Sequence, residues 1–166
     1  MRSDKHKLTF RRRLLLTLPW AVLTLGADWL TKQAVLSSFE LFEVRPVTSF
    51  FNLVLVENQG AAFSLLSGEG SYQGLKMALL ALLAMVPLVY FFYEAKLRRA
   101  LAALGLILGG GLGNIHDRLS YNAVVDFLDF HLQDRHWPAF NVADAAIVAG
   151  VGLLLWASFR ECRPKK

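Results

Sequence analysis

Residues 109–152 have the sequence GGGLGNIHDRLSYNAVVDFLDFHLQDRHWPAFNVADAAIVAGVG, and the rest of the chain is organised around this stretch. Two of its carboxylates, Asp126 and Asp144, stand among Val, Phe and Ala residues. An ionised carboxylate in apolar surroundings loses most of its hydration, so it needs polar partners or must hold a proton. The pattern therefore predicts a specific role for each of these two acids.

The composition is typical of a small integral membrane protein. Hydrophobic residues make up 55% of the 166 residues and charged residues only 19%, against roughly 25% charged in ordinary soluble domains. The net charge of +5 comes from basic residues at the two ends and in one short loop, which membrane orientation explains better than a nucleic-acid interface. The single cysteine, Cys162, excludes an internal disulfide and a metal–thiolate cluster.

Four apolar segments are each long enough to cross the bilayer core, which needs about 20 helical residues. They cover about residues 14–35, 75–93, 100–119 and 142–159. A cleavable signal peptide would also place basic residues before the first apolar run. A membrane span is favoured because hydrophobic character resumes past Asp28 and because later segments of the chain also have the length and composition of membrane spans. In the third segment Gly105, Gly109 and Gly113 recur at every fourth position, which predicts close packing against another helix.

A β-rich insertion of about residues 37–71 separates the first two spans. Residues 44–57 are rich in Val, Phe, Thr and Leu and predict one or two strands, and Asn58 and Gly60 then indicate a turn. The predicted fold class is an all-α integral membrane protein with four transmembrane helices and a small extracytoplasmic β-sheet or flap between the first and second spans. Residues 1–166 are expected to form a single membrane domain.

The basic residues predict the orientation of this fold. With four spans and both termini on one side, 13 of the 18 Lys and Arg residues lie on that side. Positive residues collect on the cytoplasmic face, so both termini are expected in the cytoplasm. A group of polar residues then converges on the outer side: Asp28, Asn58, Asn114, Arg118, Asp126, Asn141 and Asp144.

Local spacing suggests structural roles for some of these residues. Asn141 precedes the fourth span and Asp144 follows three residues later, the spacing of an N-cap with an acidic N3 residue. Asp28 and Lys32 are four residues apart on one helix face and are expected to pair. For this pair, anchoring a helix end at the interface is at least as plausible as a part in chemistry.

Asp126 has no capping role in this pattern. If it meets Asp144, the two carboxylates cannot both ionise easily and would share a proton, as in aspartic proteases. Zinc and serine peptidases are poorly supported, because the chain has no His-Glu-x-x-His and no Gly-x-Ser-x-Gly sequence. Two other classes stay open: a small proton- or ion-coupled transporter with carboxylate relays, and a non-catalytic assembly factor that packs through its glycines.

Five blocks of sequence together resemble the lipoprotein signal peptidases, or signal peptidase II, of bacteria. They are Asp28-x-x-Thr31-Lys32, Asn58-x-Gly60-Ala61-Ala62-Phe63-Ser64, Gly110-x-x-Gly113-Asn114-x-x-Asp117-Arg118, Val124-Val125-Asp126-Phe127 and Phe140-Asn141-x-Ala143-Asp144. The chain departs from the family pattern at Trp29, where Gln is usual, and at Asn122, where Gly often stands.

The resemblance implies an aspartic endopeptidase of the bacterial inner membrane, with its active site near the outer face. It would cleave the signal peptide of a prolipoprotein just before a cysteine that carries a diacylglyceryl group. Asp126 and Asp144 would be the catalytic pair. Other residues would bind substrate or support this pair: Asn58, Gly60, Asn114, Arg118, Asn141 and Ala143. Asp28 and Lys32 would be structural or supporting. The enzyme would act as a monomer among membrane phospholipids, without metal, cofactor or nucleic acid.

Overall fold

The computed structural model describes residues 8–60, 72–95 and 97–161. Five helices and four strands follow one another along these ranges. They are α1 (Phe10–Leu36), β1 (Val44–Thr48), β2 (Phe51–Asn58), α2 (Gln73–Ala84), α3 (Val86–Glu94), α4 (Arg98–Tyr121), β3 (Val124–Leu132), β4 (Arg135–His136) and α5 (Val142–Glu161). Residues 61–71 of the predicted flap, and parts of the basic tails and central loop, lie outside the described residues.

Three helical segments among the described residues are long and apolar enough to cross a membrane. These are Phe10–Leu36, Gln73–Glu94 and Val142–Phe159. The second was predicted as one span and is divided at Met85 into α2 and α3. Pro87 stands at the start of α3, and a proline cannot donate the backbone hydrogen bond that a continuous helix needs there.

Helix α4 lies at the centre of the bundle and packs against α1, α2 and α5. It is not among the three apolar segments; it contains five glycines, and its polar residues Asn114 and Asp117 are buried within the protein. Gly105 and Gly109 face Thr17 and Ala21 of α1, where a Cβ atom would collide with backbone oxygens. The predicted close packing of this glycine series is therefore confirmed.

The β-sheet is built from two separate parts of the chain. Its antiparallel order is β1-β2-β3-β4, and β2 pairs with β3 so that Val56 lies opposite Asp126 and Asn58 opposite Val124. The prediction confined the sheet to the insertion between the first two spans and treated the segment between the third and fourth spans as a loop; this was wrong, because that segment contains β3 and β4. Val54 and Leu55 of β2 are both buried, and the apolar start of β3 pairs with β2 on the edge that β1 leaves free.

A hydrophobic cluster ties this sheet to the ends of two helices. Val35 of α1, Leu55 of β2, and Val125 and Phe127 of β3 are buried together, and Val142 of α5 packs against them. The end of α1 and the start of α5 therefore share one core with β2 and β3, and this core determines where the polar residues of the neighbouring turns lie.

Candidate active site

The first turn of α5 carries a reciprocal cap. The Asn141 side-chain oxygen accepts a hydrogen bond from the Asp144 backbone N–H at 2.9 Å, and the Asp144 carboxylate accepts one from the Asn141 N–H at 3.4 Å. These bonds satisfy N–H groups that have no partner within the helix. The predicted N-cap is confirmed, and it holds the Asp144 carboxylate at the positive end of α5.

Asp126 is buried in β3 and held by two amides. Its side chain is 2% exposed and accepts hydrogen bonds from the Asn58 amide at 2.9 Å and from the Asn141 amide at 2.8 Å. Burial raises the pKa of Asp126 to about 6; the Asn58 hydrogen bond opposes this rise and the negative charge of Asp144 adds to it. Asn141 therefore bonds to both acids, and Asp126 holds a proton far more readily than an exposed aspartate.

Asn58 reaches Asp126 from the end of β2. Its side-chain oxygen accepts a hydrogen bond from the Gly60 N–H at 2.9 Å, so its NH₂ group is turned toward Asp126. Gly60 has a φ of +83°, a left-handed conformation that glycine adopts without strain. The predicted turn therefore orients a hydrogen-bond donor toward the buried acid.

Asn114 plays the corresponding part for Asp144. Its amide nitrogen donates to the Asp144 carboxylate at 2.7 Å. Its oxygen lies 3.2 Å from the Lys32 ammonium group and 3.2 Å from the Asn141 amide nitrogen. Because only the oxygen can accept from Lys32, these contacts determine which way the Asn114 amide points.

Lys32 lies between two carboxylates in the interior. Its Nζ is 2.7 Å from Asp28 and 2.7 Å from Asp117, and Asp28 in turn accepts the backbone N–H of Ala143 at 2.8 Å. The predicted pairing of Asp28 with Lys32 is confirmed. Both residues are only 1% exposed, and their bonds link α1 to α4 and α5.

Arg118 lies half-buried beside these acids. It donates to the Asn114 backbone oxygen at 3.1 Å and interacts electrostatically with Asp144, Asp126 and Asp117. The structure thus brings every predicted site residue into one connected group at the end of the bundle where α4 ends and α5 begins.

Asp117 was quoted in the sequence blocks without a role. It is 3% exposed and accepts the Val125 backbone N–H at 3.1 Å as well as its bond from Lys32. Asp117 follows Asn114 by three residues, so both lie on one face of α4. This spacing could have identified Asp117 as a site residue from the sequence.

A second polar group lies further out on the sheet. Asp129 of β3 accepts hydrogen bonds from Asn52 at 2.8 Å and from His136 at 2.9 Å. Burial tends to raise the pKa of Asp129, but these two donors outweigh it and lower the pKa. This group joins β2, β3 and β4.

The described residues contain no cluster of three His, Cys, Asp or Glu side chains arranged to hold a metal ion. The charged side chains of the site are instead satisfied by amides, backbone N–H groups and Lys32. The arrangement provides two neighbouring carboxylates, one of them with a raised pKa, at the end of an apolar bundle.

The chain resembles known proteins over most of its length. Residues 20–160 match the family model described as Signal peptidase (SPase) II. The lipoprotein signal peptidase of Azoarcus sp. (strain BH72) is 49% identical, over 89% of this chain and 86% of its own length. The lipoprotein signal peptidase of Ralstonia nicotianae is 48% identical, over 87% of this chain and 86% of its own.

Two solved structures share the fold. Both are bacterial membrane enzymes determined by the in meso method, at 1.9 Å and at 2.3 Å resolution. The first has a TM-score of 0.74 and 28% identity, covering 94% of this chain and 97% of the other. The second has a TM-score of 0.75 and 27% identity, covering 97% of each chain. The chain therefore belongs to the signal peptidase II family, the bacterial lipoprotein signal peptidases.

Proposed function

We propose that this lipoprotein signal peptidase is an aspartic endopeptidase in which Asp126 and Asp144 activate water. The observation that carries the proposal is the position of Asn141, which bonds to both carboxylates at once. Two acids held by one residue, in a site that burial makes poorly hydrated, favour a single shared proton.

The protonation states follow from the surroundings of each acid. Asp126 is almost fully buried and its pKa is raised to about 6, whereas Asp144 lies at the helix N-terminus, where a negative charge is stabilised. We therefore assign the resting proton to Asp126 and the negative charge to Asp144. Arg118, Asn58 and Asn114 supply the positive charge and the amide donors around the pair.

The proposed reaction needs only these two acids and one water molecule. Asp144 accepts a proton from water while the water oxygen forms a bond to the scissile carbonyl carbon, and Asp126 donates its proton to the carbonyl oxygen. In the resulting tetrahedral intermediate a proton passes from Asp144 to the amide nitrogen and the C–N bond breaks. Asp126 then takes back a proton from the intermediate as the carboxyl product forms.

We infer that the substrate is a diacylglyceryl-modified prolipoprotein, cleaved just before the lipidated cysteine. The site lies at one end of an apolar bundle, so acyl chains can stay in lipid while the peptide bond meets the polar group. The end of the bundle opposite the site carries exposed basic residues at the starts of α1 and α4. These are Arg11, Arg12 and Arg98.

We further propose four spans, in which α4 is added to the three apolar segments. The enzyme is proposed to act as a monomer in the inner membrane. This count places both termini in the cytoplasm and the site near the outer face. The transporter alternative gains no support from the fold, because the described carboxylates of the site gather at one end of the bundle instead of forming a relay along it.

A cleavage assay with purified enzyme and lipid-modified prolipoprotein tests the dyad. We expect Asp126→Asn and Asp144→Asn each to lower kcat on the order of 10²- to 10⁴-fold, because each removes one proton-transfer group. Asp134→Asn makes the same chemical change in an exposed turn between β3 and β4 and is expected to retain wild-type turnover.

Two readouts make the test specific. The mass of the released peptide identifies the bond that is cut, and an unmodified prolipoprotein measures the need for the lipid. A correctly inserted Asp126→Asn or Asp144→Asn enzyme with near wild-type turnover would show that the dyad assignment is wrong.

A further inference from the structure

The buried ion pair between Lys32 and Asp117 connects to both acids of the proposed dyad. The two groups are 2.7 Å apart, with side chains 2% and 4% exposed. Lys32 also bonds to Asp28, so Asp117 is not required simply to give Lys32 a partner. The bonds that Asp117 makes elsewhere therefore indicate what it contributes.

One connection runs to Asp126 through the backbone. Asp117 accepts the N–H of Val125 at 3.1 Å, and Val125 is fully buried and directly precedes Asp126. A buried N–H that loses its acceptor is destabilising, so this bond resists any shift of β3 away from α4. The backbone of Asp126 is thereby held at a set distance from α4.

The other connection runs to Asp144 through Lys32. The Lys32 ammonium lies 3.2 Å from the Asn114 side-chain oxygen, and the Asn114 nitrogen then faces Asp144 at 2.7 Å. If Lys32 moved, the Asn114 oxygen would lose one of its two donors, the other being the Asn141 amide nitrogen, and the orientation of the Asn114 amide would be less firmly held. Asp117 keeps Lys32 on the side of the network where this contact is made.

We propose that Asp117 is a positioning residue for peptide cleavage, setting the separation of Asp126 and Asp144 through Val125 on one side and Lys32 on the other. This inference rests on the proposed function, since it assumes that these two acids do the chemistry. Asp117 acts through its neighbours and does not contact the substrate.

Two substitutions of Asp117 distinguish the effect of its carboxylate position from the effect of its negative charge. Asp117→Asn keeps the shape and removes the charge. Asp117→Glu keeps the charge, and with it the pairing to Lys32, but places the carboxylate one methylene further from α4. A role in charge balance alone predicts that Asp117→Glu retains activity, whereas a positioning role predicts a loss in both variants.

We expect each Asp117 variant to lower kcat about 10- to 100-fold with KM within about twofold of wild type, because displacement of reacting groups by about 1 Å has effects of this size. Asp134→Asn and Asp134→Glu are the matched controls in an exposed turn and are expected to match wild type. Wild-type kcat in Asp117→Glu, or a loss confined to KM, would overturn the proposal.

A double-variant cycle tests the path through Lys32. Asn114→Ala removes the donor to Asp144, and the combination with Asp117→Asn is expected to lose less activity than the product of the two single losses. Fully multiplicative losses would show that Asp117 does not act through Asn114.

The dyad variants distinguish this inference from the proposed function. Activity in Asp126→Asn or Asp144→Asn would end the proposed function itself. Inactive dyad variants together with a fully active Asp117→Glu enzyme would end only the positioning role of Asp117.

Discussion

The Asp28 carboxylate accepts a hydrogen bond from the Ala143 backbone N–H at 2.8 Å, although 115 positions of sequence separate them. This bond satisfies one of the free N–H groups in the first turn of α5 and places a negative charge at the positive end of that helix. The bond therefore joins α1 to α5 one residue before Asp144, and the same carboxylate also pairs with Lys32.

Removing this charge is expected to destabilise the bundle. Asp28→Asn keeps the shape of the side chain but leaves Lys32 with one carboxylate instead of two. We expect a loss of about 3 kcal/mol in the free energy of unfolding, as for breaking a buried ion pair, measured by denaturant titration in detergent micelles.

The control for this experiment lies one residue beyond Lys32 on the same helix. Gln33→Ala removes an exposed hydrogen bond to Tyr121 and is expected to change stability by less than roughly 0.5 kcal/mol. Equal losses in Asp28→Asn and Gln33→Ala would contradict the structural role of Asp28.

Gly113 is expected to tolerate no side chain, because a Cβ atom there would lie 2.6 Å from the Asp28 carboxylate. Gly113→Ala should therefore lower both stability and cleavage activity. At Gly26 of α1 nothing lies within 4 Å of the added carbon, so Gly26→Ala should be neutral or stabilise the helix by up to about 1 kcal/mol.

Thermal unfolding and the cleavage assay on the two glycine variants check this contrast. If Gly113→Ala were as active and as stable as Gly26→Ala, the close approach of α4 to Asp28 would be wrong.

The activity is expected to fall as the pH rises, because the proposed dyad needs the proton on Asp126. With the pKa of Asp126 raised to about 6, the proton is present below pH 6 and lost above it. The profile of kcat/KM, which reports the free enzyme, should therefore decline on its alkaline side with an apparent pKa near this value.

Substitution of Asn58 should move this decline to higher pH. The Asn58 amide donates to Asp126 and lowers its pKa, so Asn58→Ala is expected to let Asp126 keep its proton at higher pH, whatever the change in maximal rate. The exposed neighbour Gln59 provides the control, and Gln59→Ala should leave the decline in place. A shift to lower pH in Asn58→Ala would contradict the assigned contact.

The elements of the fold were largely predictable because they depend on local patterns. The apolar segments appear as helices, and the strands of residues 44–58, the glycine face of α4 and the cap of α5 follow from residues close together in the chain. The position of β3 was not predictable in this way, because its pairing with β2 joins residues far apart in the chain, such as Val56 and Asp126.

By itself the sequence determined a helical membrane protein of the signal peptidase II family and the residue types of its polar site. Only the tertiary structure decided that Lys32 lies between Asp28 and Asp117, that Asn141 bonds to both acids, and that Asp117 holds β3. The physical reason is that the hydrogen-bond partners of a buried charge or amide come from distant segments that pack around it. The local spacing of residues in the sequence does not specify which segments these are.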